Sequence, residues 1–163
     1  MDAKEIFAAL EKKYLIDEPD GKWALFSELR VGTGFSKKSS EQRIDAYALN
    51  MYPSHSFRAI AFEIKVTRGD FLNELKKPKK RYPAMILSNR FYFITPVGLV
   101  EPDEIPELCG LWEVDCDGNI EEVVKAADRP KLVPDWSFIA SVCRRACRRI
   151  YQSDRDWETG VMK

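Results

Sequence analysis

The sequence predicts an α/β fold, a mixed central β-sheet with helices on both sides. Three observations carry this. Ile6, Phe7, Leu10 and Tyr14 recur at helical spacing near the start. Three β-rich runs follow, at 23–31, 43–49 and 59–66. A helical stretch then leads to another β-rich run at 90–95.

Taken in order, residues 2–14 read as a helix with Lys4, Glu11 and Lys12 outside. Glu18-Pro19-Asp20-Gly21 is a turn. Residues 23–31, with Trp23, Phe26 and Val31, form a strand in which Glu28 is the acid. The Gly/Ser/Lys segment 32–40 is a loop, and no helix start follows its glycines at the spacing of a phosphate-binding fingerprint.

The hairpin at 43–66 is the centre of the reading. Two β-rich runs flank the turn formers Pro53-Ser54-His55. The midpoint of 45 and 63 is 54, so Asp45 should lie opposite Glu63, with Cβ atoms about 5 Å apart. Ile60, Phe62, Ile64 and Val66 take one face; Ala59, Ala61, Glu63 and Lys65 take the other. Like charges facing each other across a ladder are destabilising. The pair therefore needs a cation, either Lys65 or a divalent metal such as Mg²⁺. Arg43 shares this face, to neutralise Asp45 or to contact a phosphate. His55, the one histidine, is a turn residue too far from Glu63 to serve as its base.

After the hairpin, Thr67-Arg68-Gly69-Asp70 starts a helix with Asp70 as N-cap and Phe71, Leu72 and Leu75 apolar. Pro78 breaks it or restarts a second helix. Pro96-Val97-Gly98 ends the 90–95 strand, and 101–107 is a loop. Residues 110–114 are a strand, turned at Asp117-Gly118 into 121–124. Residues 136–151 form a helix with Ile139, Val142, Cys143, Ala146, Cys147 and Ile150 on its apolar side. A single domain over 1–153 and a tail at 154–163 complete the organisation.

Asp45 followed by Glu63-Ile64-Lys65 on the next strand resembles the PD-(D/E)XK nuclease superfamily. Ile44 stands where the family's name has proline. The stretch 23–114 is similar to the MmcB-like branch, DNA-repair proteins also found in phage genomes. The similarity runs through Ser27-Glu28-Leu29-Arg30, Gln42-Arg43-Ile44-Asp45-Ala46, Phe62-Glu63-Ile64-Lys65, Gly69-Asp70-Phe71 and Arg90-Phe91-Tyr92-Phe93-Ile94.

The resemblance implies a restriction-endonuclease-like core, α-β-β-β-α-β. It implies a Mg²⁺-dependent deoxyribonuclease, Mn²⁺ substituting, that acts as an endonuclease rather than an exonuclease in DNA repair, recombination or phage DNA processing. Asp45, Glu63 and the backbone carbonyl of Ile64 would bind the metal, joined by Glu28; the other reading of Glu28 is a surface pair with Arg30. Lys65 would orient the water or stabilise the phosphate. Lys76 and Lys80 on the following helix would hold the DNA backbone, with Arg81 as fallback. Lys37 and Lys38, just before the first catalytic strand, are candidates to clamp DNA.

Composition bounds these expectations. Hydrophobic residues are 45% and charged residues 32%, enough for a core and no disorder signature. Net charge is zero, but unevenly spread. Residues 58–81 hold eight Lys/Arg against three Asp/Glu, and 101–128 hold ten acids against one Lys. Residues 129–149 hold six bases against one acid, including Arg144, Arg145, Arg148 and Arg149. Such blocks would steer a polyanion to one side. Cys109, Cys116, Cys143 and Cys147 have no C-x-x-C spacing, which predicts buried free thiols and no zinc. No apolar run reaches the ~18 residues of a membrane span, and no leader precedes the first helix, which predicts a soluble cytoplasmic protein. DNA is the expected partner, with a homodimer possible but not required. Two other classes stay open: a non-catalytic nucleic-acid-binding module, and a protein-interaction domain that uses the acidic 101–128 segment.

Overall fold

The computed structural model describes residues 1–18, 20–32 and 42–159, with side chains described as far as Arg148. The expected clamp residues Lys37 and Lys38 lie outside the described residues.

Helix α1 spans Ala3–Glu11. Asp2 caps it: Oδ1 accepts from the N–H groups of Lys4 at 2.7 Å and Glu5 at 2.9 Å, and Glu5 reaches back to the Asp2 N–H. The predicted 2–14 helix continues as a π-helical turn, Lys12–Ile16. That wider turn delivers Tyr14 into the core against Trp23.

Six strands form one sheet in sequence order: β1 (Trp23–Arg30), β2 (Arg43–Asn50), β3 (Ala59–Ile64), β4 (Arg90–Pro96), β5 (Cys109–Val114) and β6 (Ile120–Val124). The β1/β2, β2/β3 and β5/β6 pairs are antiparallel; β3/β4 and β4/β5 are parallel. The sheet is therefore mixed, with β3 and β4 at its centre. Helices α2 (Arg68–Leu75) and α3 (Pro78–Ile86) make the crossover that parallel β3 and β4 require. Helix α4 (Trp136–Thr159) closes the chain. It runs past the predicted end at 151 and into the segment read as a tail; 160–163 lie outside the described residues.

Alternation sorts the strands into two cores. Ala46, Ala48, Ile60, Phe62, Tyr92 and Ile94 pack under α1 with Ile6 and Leu10. Tyr47, Ala59, Ala61, Phe91 and Phe93 pack on the other face with Phe71, Ala84 and Phe138. The faces of β3 are those the sequence predicts.

Three local expectations change. The α2 N-cap is Thr67, whose Oγ1 accepts from the Asp70 N–H at 3.2 Å, so Asp70 sits inside the first turn. The helix breaks at Lys77 (φ −124°, ψ 58°) and restarts at Pro78, as the proline predicts, but this separates two lysines expected on one helix. Lys76 and Lys80 are thus on either side of a break, not stacked one turn apart. On α4, Phe138 and Ser141 are buried, and Val142 and Arg145 are half-buried beside them, as are Ile139 and Ala146 of the predicted apolar side. Cys143 and Cys147 consequently face solvent, as does Cys116; only Cys109 is a buried thiol.

Candidate active site

The β2/β3 register pairs Ala46 with Phe62, Tyr47 with Ala61, Ala48 with Ile60 and Leu49 with Ala59. Each pair is centred on Ser54, as the hairpin predicts. The ladder stops at Ala46–Phe62. One step further on, the strands part and the Asp45 side chain fills the gap. Its Oδ2 accepts the Ile64 N–H at 2.9 Å.

A change in both partner strands prepares this position. Ser27 pairs with Ala46 and Leu29 with Ile44, while the Glu28/Asp45 step between them is skipped. Phe26 and Leu29 pack into the same core, as do Tyr47 and Ile44. Residues three apart on a regular strand would face opposite ways. Both strands therefore turn over at Glu28 and Asp45. Glu28 adopts φ +48°, left-handed backbone that is uncommon for a residue with a Cβ.

Lys65 and Lys80 bring the remaining charges together. Lys65 Nζ lies 2.7 Å from Glu63 Oε1 and 3.6 Å from Glu74 Oε2. Lys80 Nζ lies 2.9 Å from Glu74 Oε2 and 3.4 Å from Glu63 Oε1. Glu63 and Glu74 are buried, at 6% and 4% exposure, whereas the Lys80 side chain is 55% exposed. Two acids and two ammonium groups thus form a closed, neutral ring. Burial pulls Lys80 down, but its hydrogen bond to Glu74 and the Glu63 and Glu74 charges outweigh this and hold it above the usual lysine range.

Asp45 stands beside this ring without a cation of its own; it forms no ion pair among the described residues. Burial, then the Glu63 charge, push its carboxyl up; the Ile64 N–H and Lys65 offset this only in part. A carboxyl in this state takes up a proton or a cation. A hard divalent ion needs only one or two carboxylates plus water, which Asp45 and Glu63 fit. No group of three or more His, Cys, Asp and Glu gathers to hold a metal among the described residues, so the site does not resemble an all-protein cage.

Other predicted residues divide. Glu28 bonds Arg43 at 3.1 Å, not Arg30, and both side chains are about half exposed at the rim. Arg43 therefore neutralises Glu28 and not Asp45. Lys76 is exposed at the end of α2, outside the ring. Arg81 turns inward: it is 9% exposed, its Nη1 donates to the Glu74 carbonyl at 3.4 Å, and its guanidinium lies 6.0 Å from the Phe93 ring centroid. That burial withdraws it from a DNA-facing role. His55 is an exposed residue of the hairpin turn, as expected.

The sequence reading missed Glu74 and, for Arg145 of the basic block, its contact with the sheet. Glu74 lies three positions after Phe71, on the buried side of α2, and an acid on an apolar stripe was the available signal. Arg145 donates to Ser27 Oγ, next to Glu28, and so sets the arginine-rich part of α4 at this end of the sheet. An open cleft of about 890 Å³ between α1 and the β5–β6 turn, lined by Glu5, Lys12, Pro96, Asp115 and Asp117 among others, contains none of the predicted residues.

No family model and no curated protein matches the sequence. Among solved structures, the chain is similar to the SPO1766 protein of unknown function from Silicibacter pomeroyi, at TM-score 0.64 and 19% identity. The likeness covers 97% of this chain and 94% of that one. At that identity it shows a shared fold alone.

Proposed function

We propose that this protein is a metal-dependent DNA nuclease of the PD-(D/E)XK type, which hydrolyses phosphodiester bonds. The observation that carries the reading is the charge imbalance at the end of the hairpin. Asp45, Glu63 and Glu74 supply three carboxylates against the two ammonium groups of Lys65 and Lys80, and Asp45 is the one left over. Asp45 and Glu63 would hold Mg²⁺ or Mn²⁺. Such an ion, when bound, lowers the pKa of the attacking water and offsets charge on the phosphate.

The chain's own groups have separable tasks. The Ile64 N–H fixes one oxygen of Asp45, which orients the other. Lys65, largely enclosed and held on Glu63, orients the water or stabilises the phosphate oxygens. Half-exposed Lys80 contacts the DNA backbone, a contact that positions without reading sequence. Glu28 and Arg43 form the rim, and the arginines of α4 border it through Arg145. No helix among the described residues is long and apolar enough to cross a membrane, and the proposed substrate places the protein with cellular DNA.

Cleavage of plasmid, duplex, single-stranded and branched DNA is the test, each with Mg²⁺, with Mn²⁺ and with chelator. Metal-dependent cleavage that disappears in Asp45→Asn supports the reading. DNA binding without cleavage by the wild type would favour a binding module that keeps the fold.

A further inference from the structure

A difficulty in the metal reading leads to a role for Glu74. Both ammonium groups reach Glu63 through the same oxygen, Oε1: Lys65 at 2.7 Å and Lys80 at 3.4 Å. A cation arriving on Glu63 meets two cations already there. Like charges this close repel strongly at the effective dielectric of a protein surface. The repulsion favours release of an ammonium group from Glu63, and that group needs an acceptor elsewhere.

Glu74 has one. Its Oε2 already binds Lys80 at 2.9 Å and lies 3.6 Å from Lys65. Its Oε1 is buried and has no hydrogen-bond partner. A buried carboxylate oxygen left unpaired is costly, so the position calls for a donor. The longer of the Glu63 contacts, that of Lys80, is the one more easily broken, and Lys80 is tied to Glu74 already.

We propose that Glu74 is a positioning residue that retains Lys65 and Lys80 when a divalent cation binds Glu63, its free Oε1 accepting the ammonium group displaced from Glu63. This rests on the metal reading above and adds the reason a third, buried carboxylate is present. Glu74 then keeps Lys65 beside the ion and Lys80 at the mouth of the site. It touches neither the ion nor the substrate.

Lysine NH₃⁺ signals in ¹H–¹⁵N spectra persist only where ion pairing slows exchange with water. Lys65→Met and Lys80→Met assign the two signals, and calorimetry follows Mg²⁺ binding in parallel. In the wild type both signals should survive Mg²⁺ saturation, with shifts that mark new partners. In Glu74→Gln, which keeps the side chain's shape, Mg²⁺ should abolish the Lys80 signal. Loss of both signals from the wild type at saturation overturns the inference while the metal reading stands. Equal survival in Glu74→Gln does the same. Failure of the wild type to bind Mg²⁺ or Mn²⁺ overturns the metal reading and this inference with it. The wild-type titration alone decides the matter if the variant fails to fold.

Discussion

Asp45 accepts the backbone N–H of Ile64 at 2.9 Å, where a regular ladder would have used a carbonyl of β2. The side chain has taken over a main-chain hydrogen bond at the end of the β2/β3 pairing. Asp45 is therefore fixed by the sheet itself, while burial and Glu63 make its charge unfavourable.

The first prediction concerns pH and Asp45. Its folded pKa is pushed up to about 7. The native state then holds a proton that the unfolded chain has released, so metal-free stability falls as pH rises from about 4 to about 7. Asparagine keeps an acceptor for Ile64 and carries no charge. Asp45→Asn should raise stability on the order of 1–3 kcal/mol at pH 8 and change it little at pH 4. Thermal melts across this range, with chelator present, would show the divergence. Parallel pH profiles for the two proteins would contradict it.

Metal should reverse that ranking. A ligand that binds only the folded state stabilises it by mass action, about 2.7 kcal/mol at a hundred times Kd. Mg²⁺ or Mn²⁺ should raise the wild-type melting temperature and leave Asp45→Asn and Glu63→Gln almost unmoved. An equal rise in all three would place the ion elsewhere.

Lys65 sits in a buried ion pair, and breaking such a pair leaves a buried charge behind. Because Lys80 still reaches Glu63, Lys65→Met should cost less than the ~3–5 kcal/mol of a fully orphaned partner. It should abolish cleavage and leave DNA affinity close to wild type. Matching losses of binding and cleavage would make Lys65 a substrate-holding residue instead.

Lys76 and Lys80 should now behave differently. Lys80→Ala should weaken binding to all sequences alike and lower the salt slope by about 0.9, the value for one lost duplex phosphate contact. Lys76→Ala should be nearly silent, since the break at Lys77 separates it from the ring. Affinities between 50 and 200 mM salt separate the two; equal effects would show that distance from the ring does not matter.

The hairpin was legible because its register follows from one centre. With the turn at Ser54, the pairs from Ala46–Phe62 to Leu49–Ala59 follow, whereas the expected Asp45–Glu63 pair does not form, because the ladder ends one step before it and Asp45 bonds the Ile64 N–H instead. Alternation fixed the faces of β3 for the same reason. Glu74 was hidden because the amphipathy of α2 is slight, and a lone acid on it looks like a surface residue until α3 folds back over it. The break was announced by Pro78; its effect on Lys76 and Lys80, set apart by the Lys77 backbone, was not drawn from it. The cysteines of α4 lie at apolar spacing in the sequence, but Phe138 and the Arg145–Ser27 contact set the rotation of the helix and leave them exposed.

The outer strand β6 adds a consequence for self-association. A sheet of six strands in a row has two open edges, and each is a template for a strand from another molecule. On β6, consecutive exposed carboxylates, Glu121 and Glu122, point to opposite faces. Glu122 is further held by the Tyr92 hydroxyl, which donates to it at 2.5 Å. Two copies meeting edge to edge there would set acid against acid on both faces. The paired acids on β6 thus oppose edge-to-edge pairing there, and neutralising Glu121 and Glu122 would remove that opposition.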